Sequence, residues 1–197
     1  TAFHSQLKKN KAVFAEALRL AQIEEGMMGD NTVIFTPDDS SDNSYNSAVK
    51  LSKYLNTVKV CKNVRDDNCT DLYYPVKTAI KEYNNGVHNS TTLPKIVLTD
   101  GSIFTVLQYE KCEDSVPTCQ KDQYGNCQKD ENGNTIYGGT WNKQNCAYVY
   151  LDVNGAQGPN KFGRDNFLIN VNRDKFFLNT ADWTGGDNGK NIMLNKE

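Results

Sequence analysis

Six cysteines and two histidines carry most of this chain's capacity for nucleophilic or metal chemistry. Cys61, Cys69, Cys112, Cys119, Cys127 and Cys146 include no C-x-x-C pair, and His4 and His88 stand far apart. Zinc sites require short Cys or His spacings, so the pattern does not fit one. An even count at loop-sized spacings instead predicts three disulfides formed in an oxidising compartment. Cys61–Cys69 and Cys119–Cys127 each close a short local loop. Cys112 ends one predicted strand and Cys146 begins another, so antiparallel neighbours bring that pair together. With every thiol consumed, a Cys–His nucleophile pair is not available. His88 lies in the loop-like run 84–89 (NNGVHN) and reads as a solvated surface residue. Ser102 has no nucleophile-elbow motif around it. Asp38-Asp39 and Asp66-Asp67 sit in polar runs and read as solvated loops. No enzyme is expected from these residues.

Oxygen donors offer a second kind of chemistry. Residues 150–167, YLDVNGAQGPNKFGRDNF, place Asp152, Asn154 and Asp165 on a glycine-rich connection. These three are the candidate calcium ligands. Calcium takes six to eight oxygens, however, and the EF-hand pattern's third acidic position and closing Glu are missing. Asp130, Glu131 and Asn132 form a comparable acidic turn. The favoured reading is structural: Asp152 and Asn154 bond to nearby amides as Asx turns do. Gly155, Gly158 and Gly163 permit positive φ, and Pro159 fixes its own. No cofactor is therefore expected, with calcium the one candidate.

The elements that must position these residues follow from periodicity. The chain has 197 residues, a net charge of −2 and 38% hydrophobic residues, enough for one domain with an economical core. Its basic residues are scattered, which argues against nucleic acid as a partner. Residues 1–25 predict an amphipathic helix with Phe3, Leu7, Phe14, Leu18 and Ala21 on one face, Thr1 as a cap and Gly26 as a stop. Residues 44–58 predict a second helix, and residues 71–84 a third with Pro75 in its first turn. From residue 95 the period changes to two. Asp100-Gly101 between 95–99 and 102–107 predicts a tight hairpin. Residues 113–145 read as a Cys-rich loop, 147–153, 166–171 and 175–178 as strands, and 183–197 as a flexible tail. Helices first and an antiparallel sheet second give an α+β fold.

The 150–167 segment also resembles one found near the C-terminus of prepilin-type proteins, the superfamily of type IV pilins and type II secretion pseudopilins. The resemblance covers residues 1–25 and about 147–178 well, and the middle by architecture. It implies a pilin-like head whose apolar, membrane-spanning half-helix lies upstream of residue 1. It also implies a non-enzymatic subunit, periplasmic or extracellular, anchored in the inner membrane before assembly. Its partners would then be copies of itself or other pilin-like subunits in a filament. Major pseudopilins in that superfamily bind calcium in C-terminal loops, which is the resemblance's only support for a metal here. A secreted, disulfide-stabilised binding or adhesin module is the alternative, using aromatic residues such as Tyr124, Tyr137 and Trp141.

Overall fold

The computed structural model describes residues 2–79 and 87–185. Thr1, the end of the expected third helix (80–84) and the Gly-rich tail from residue 186 lie outside the described residues. Helix α1 covers Ala2–Glu25 and stops where Gly26 takes a φ of +67°. Helix α2 covers Asn43–Ser52. Ten strands follow among the described residues: β1 (Thr57–Cys61), β2 (Val76–Lys77), β3 (Val87–His88), β4 (Lys95–Leu98), β5 (Ile103–Gln108), β6 (Glu113–Cys119), β7 (Tyr137–Gln144), β8 (Ala147–Asp152), β9 (Asn166–Val171) and β10 (Phe176–Leu178). Six of them form one antiparallel sheet in the order β1-β4-β5-β8-β9-β10. The fold is α+β, with the long helix and α2 packed on this sheet. Among the described residues no helix is long and apolar enough to cross a membrane.

Period-two alternation sorts the sheet residues into two faces. The inner face carries Ile96, Phe104, Leu151 and Phe167 in one cross-strand row, and Val106, Val149, Ile169 and Leu178 in the next. Helix α1 lays Leu7, Phe14, Ala17, Leu18 and Ala21 onto this face, and all five are buried. Phe14 is the centre. Its ring lies 4.9 Å from Phe176, 5.9 Å from Phe104 and 6.1 Å from Phe35. Polar ties fix the helix at both ends. Buried Asn10 donates to Ser102 Oγ at 2.9 Å, and Gln6 reaches Asp100 at 2.8 Å, which binds the helix to the Asp-Gly hairpin turn. Towards the C-terminal end Gln22 donates to Asn31 Oδ1, and Asn31 donates to the Asn172 carbonyl.

The helical expectation fails in two places. Residues 53–58 leave α2, because Thr57, Val58 and Val60 are β-branched and supply an edge strand to β4. The third helix is absent from the described part of 71–84: one 3₁₀ turn at Thr70–Leu72 gives way to extended chain at Val76–Lys77. There the Tyr73 hydroxyl donates to the Leu93 carbonyl and Tyr74 to Asp152, so tertiary hydrogen bonds override helical spacing. Residue 183, where the tail is expected to start, lies instead in a 3₁₀ turn over Asp182–Thr184.

The Cys-rich segment is also more ordered than a loop. Strands β6 and β7 form a separate two-stranded ribbon, and beyond it two small hairpins repeat the pattern K-D-x-x-G-N at 121–126 and 129–134. In each, the aspartate accepts from amides two and four residues on: Asp122 from Tyr124 and Asn126, Asp130 from Asn132 and Asn134. Ribbon and hairpins meet in a triangle of backbone bonds, Gln120 N–H to Ile136, Gln128 N–H to Gln120 and Ile136 N–H to Gln128.

Three disulfides, Cys61–Cys69, Cys112–Cys146 and Cys119–Cys127, join the pairs expected from sequence and consume all six thiols. They point to an oxidising compartment outside the cytoplasm. Cys112–Cys146 closes the longest loop, 34 residues apart against 8 for the others, and clamps the ribbon's base to the sheet. Loop-closure entropy assigns it about 3.8 kcal/mol and the short pairs about 2.6 kcal/mol each. Denaturant titration of Cys112→Ala/Cys146→Ala and of Cys119→Ala/Cys127→Ala should therefore rank the first as the more damaging. Phe14→Ala should cost about 3–5 kcal/mol in the same assay.

Candidate functional site

The outer face of the sheet, turned away from α1, brings together the residues of greatest chemical interest. One row runs Lys95, Thr105, Tyr150 and Leu168, and the next Val97, Ile103, Asp152 and Asn166. Over these rows lie the extended segment around β2 and the 152–165 connection. Lys77 N–H donates to the Asn160 carbonyl and Phe162 N–H to that of Lys77, so β2 straps the connection down. Between strap and sheet is a narrow cleft of about 20 Å³, room for one water, lined by Tyr73, Tyr74, His88, Lys95, Tyr150 and Asp152 among others.

The 152–165 connection is held by its own carboxylates. Buried Asp165 accepts from the amides of Asn160 and Lys161, each at 2.8 Å, and from the Asn166 side chain at 3.1 Å. Asp152 accepts from the Tyr74 hydroxyl at 2.6 Å and from the Asn154 amide at 3.1 Å. The Asn154 side chain donates across the loop to the Gly158 carbonyl at 3.1 Å. Two glycines permit close approach. A Cβ on Gly155 (φ +65°) would stand 2.8 Å from the Gly101 carbonyl, and one on Gly163 (φ +81°) 2.8 Å from the Gly185 Cα. The loop is thus fastened to the β4–β5 turn at one end and to the turn after Trp183 at the other.

The candidate calcium ligands Asp152, Asn154 and Asp165 do lie in one loop, with both carboxylates already accepting backbone amides. Asn154 Oδ1 and Asn160 Oδ1 are buried without a hydrogen-bond donor, so four residues offer oxygen. Among the described residues no group of three or more His, Cys, Asp or Glu is placed to hold a metal ion. The second acidic turn is spent differently: Asp130 nucleates its hairpin, and amide bonds hold its carboxyl below the usual range. Asp122 is held down in the same way.

Several site residues lack a strong sequence signal. Lys95 reads as part of a strand, yet its ammonium donates to Thr105 Oγ1 at 2.7 Å and lies 4.9 Å from the centre of the Tyr73 ring. Burial pulls its pKa down to about 8, against a smaller opposing pull from Asp152. Burial pushes the Asp152 carboxyl up to about 6; the nearby Asp165 charge adds to this, while bonds from Tyr74, Asn154 and Asn166 oppose it. His88 corrects the expectation of a solvated residue. It pairs with Val76 and stacks between rings, 4.9 Å from Tyr150, 5.9 Å from Phe162 and 6.0 Å from Trp183, and burial lowers its pKa. The period-two alternation of β8 puts Tyr148, Tyr150 and Asp152 on one face. Nothing local marked what covers it.

No protein-family model, no curated protein and no solved structure matches this chain.

Two measurements test the site. A carboxyl with a raised folded pKa stabilises the fold fully below its unfolded value near 4, and the benefit is lost as pH rises through about 6. Asp152 should accordingly cost about 3 kcal/mol at neutral pH relative to pH 3. Asp152→Asn should flatten the fall in stability between pH 4 and 7. A side-chain titration of Asp152 with a midpoint near 4 would overturn this. For the loop as a structural clasp, EDTA and calcium should both leave Tm unchanged, and Asp152→Ala should cost about 1–2 kcal/mol. A calcium-induced rise lost in Asp152→Ala would make it a metal site.

Proposed function

We propose that the chain is the globular head of a pilin-like filament subunit, structural rather than enzymatic. The observation that carries this reading is α1: 24 residues, about 36 Å long, buried along one side against the sheet and open to solvent along the other. Its exposed side is mixed: Ala2, Ala12, Ala15, Leu20 and Ile23 stand among Lys8, Lys9, Glu16, Arg19, Glu24 and Glu25, so small and apolar side chains alternate with charge on a surface that could pack between subunits. The resemblance of residues 150–167 to prepilin-type proteins supports the same reading. It further implies an apolar segment upstream that holds the subunit in the inner membrane before assembly, with copies of itself or related subunits as partners.

A secreted binding or adhesin module remains the second reading, favoured by one specific observation. Tyr124, Tyr137 and Trp141 are 79%, 62% and 50% exposed on the β6–β7 arm, an unusual display of aromatic surface.

An epitope inserted after Gly133, at the tip of an exposed hairpin, separates the two. A filament subunit expressed from its own locus should co-sediment with filaments sheared from the cell surface. Recovery solely as a free secreted monomer would favour the binding module.

A further inference from the structure

Two Asn-Gly pairs lie in the described residues, and the fold holds them in opposite ways. Glycine leaves its own amide nitrogen unhindered, so that nitrogen can reach the preceding carboxamide wherever the chain is free to rotate. Asn132-Gly133 forms the tip of the distal hairpin. Residues 129–134 are all exposed, and a Cβ placed on Gly133 would meet no atom within 4 Å. The Asn132 carboxamide makes no hydrogen bond among the described residues. Surface bonds alone close the tip. Gly133 N–H donates to the Asp130 carbonyl at 3.0 Å and Asp130 N–H to that of Asn134 at 2.9 Å. The amides of Asn132 and Asn134 donate to Asp130 Oδ1 at 2.9 and 2.8 Å. No disulfide crosses this unit, since Cys119–Cys127 closes the proximal one. A two-stranded hairpin with no apolar side chain opens at small cost. Asn154-Gly155 is the counter-case. Asn154 Nδ2 donates to the Gly158 carbonyl, its Oδ1 is buried, and its amide is held by Asp152 Oδ1. Gly155 is buried, and a Cβ there would stand 2.8 Å from the Gly101 carbonyl. Freeing this pair means opening the connection that Asp152 and Asp165 fasten. The repeat adds a second contrast: the proximal unit carries Tyr124 before Gly125 where the distal unit carries Asn132 before Gly133.

We propose that Asn132 is a site of self-modification, at which the distal hairpin deamidates itself while the 152–165 connection protects Asn154. The Gly133 amide nitrogen attacks the Asn132 side-chain carbonyl carbon. The new C–N bond closes a succinimide, and the carboxamide nitrogen leaves as ammonia with the proton that Gly133 gives up. Water then opens the ring at either carbonyl, leaving aspartate or isoaspartate. The step consumes water and needs no oxidant and no second protein. Either product puts a new negative charge beside Asp130 and Glu131. The isoaspartyl product also lengthens the main chain by one methylene, which moves the Gly133 and Asn134 amides out of register with Asp130 and undoes the turn. The step runs one way, so the altered fraction grows with the time a chain has spent in water. It holds equally for a filament subunit and for a secreted binding module, because both display the arm.

Peptide mapping by mass spectrometry, on the purified chain with its disulfides intact, tests it after timed incubation at mildly alkaline pH. The peptide holding Asn132 should shift from amide to acid and split into aspartyl and isoaspartyl forms. Asn132 should convert about tenfold faster than Asn154 or more, the factor carried by one further side-chain hydrogen bond that must break. Asn85-Gly86 and Asn188-Gly189 lie outside the described residues and are read on separate peptides. Asn132→Gln should abolish the shift and keep Tm within a few degrees of wild type. Hydrogen exchange gives a readout independent of the chemistry: the Gly133 and Asn134 amides should exchange faster than that of Asn154, and Asn134 should lose its remaining protection in the isoaspartyl fraction. Three results would overturn the proposal. Asn132 could stay intact after a free peptide of residues 129–135 has converted, which would show that the surface bonds protect the tip. Asn154 could convert as fast as Asn132, which would show that the fold makes no distinction. The shift could persist in Asn132→Gln, which would place the reaction at another residue of that peptide.

Discussion

Phe14 sits where the helix, the sheet and the loop after the helix must all agree. Its ring is enclosed by Phe35, Phe104 and Phe176, which come from three widely separated parts of the sequence. Edge-on ring geometry tolerates little rotation, so this contact fixes how α1 lies on the sheet as well as that it lies there. The polar ties at Asn10–Ser102 and Gln22–Asn31 then set its axial position, since a slip of one residue would leave buried amides without partners. Everything on the outer face inherits its place from this arrangement. With the inner face committed to α1, Tyr148, Tyr150 and Asp152 must point the other way, where Tyr74, His88, Phe162 and Tyr109 pack against them.

Most of the architecture could be read from periodicity because α1 and the central strands are amphipathic with clean repeats. The Asp-Gly turn was legible for the same reason: Gly101 takes a φ of +86° that few other residues accept. The disulfides followed from spacing, as strand ends that face each other bring Cys112 and Cys146 together. The failures share a physical cause. Leu72, Val76 and Ile80 are spaced as on a helix, but Tyr73 and Tyr74 between them find hydrogen-bond partners across the sheet, and no local pattern encodes that. His88 looked solvated because its neighbours in sequence are Asn and Gly. Its neighbours in space are Tyr150, Phe162 and Trp183. The K-D-x-x-G-N repeat was present in the sequence throughout. Its eight-residue period is far shorter than that of a solenoid, and it yields hairpins rather than stacked layers.

The outer-face cleft holds a half-buried lysine and a buried aspartate with shifted ionisation, a pattern often associated with catalysis. Here burial is the largest cause of both shifts. Lys95 is capped by the Tyr73 ring, and Asp152 receives the Tyr74 hydroxyl, so the two tyrosines close the cleft over the groups they desolvate. The remaining volume has room for one water. The loop below spends its carboxylates on its own amides, which gives a rigid connection from side chains that elsewhere would serve chemistry.

The triangle at Gln120, Gln128 and Ile136 has a consequence for how this arm can change over generations. Each corner passes one backbone bond to another, Gln128 to Gln120 and Ile136 to Gln128 across eight residues and Gln120 to Ile136 across sixteen. If one K-D-x-x-G-N unit is removed in frame, the two surviving corners face each other as an ordinary antiparallel pair, and the ribbon simply ends in the remaining hairpin. Duplicating a unit would add a corner without touching the sheet, because the clamp at Cys112–Cys146 lies at the far end of the ribbon. Loss of 121–128 would leave Cys119 unpaired, whereas loss of 129–136 would spare every disulfide. The distal hairpin is therefore the expendable one, and related chains should differ in arm length by whole units gained or lost there.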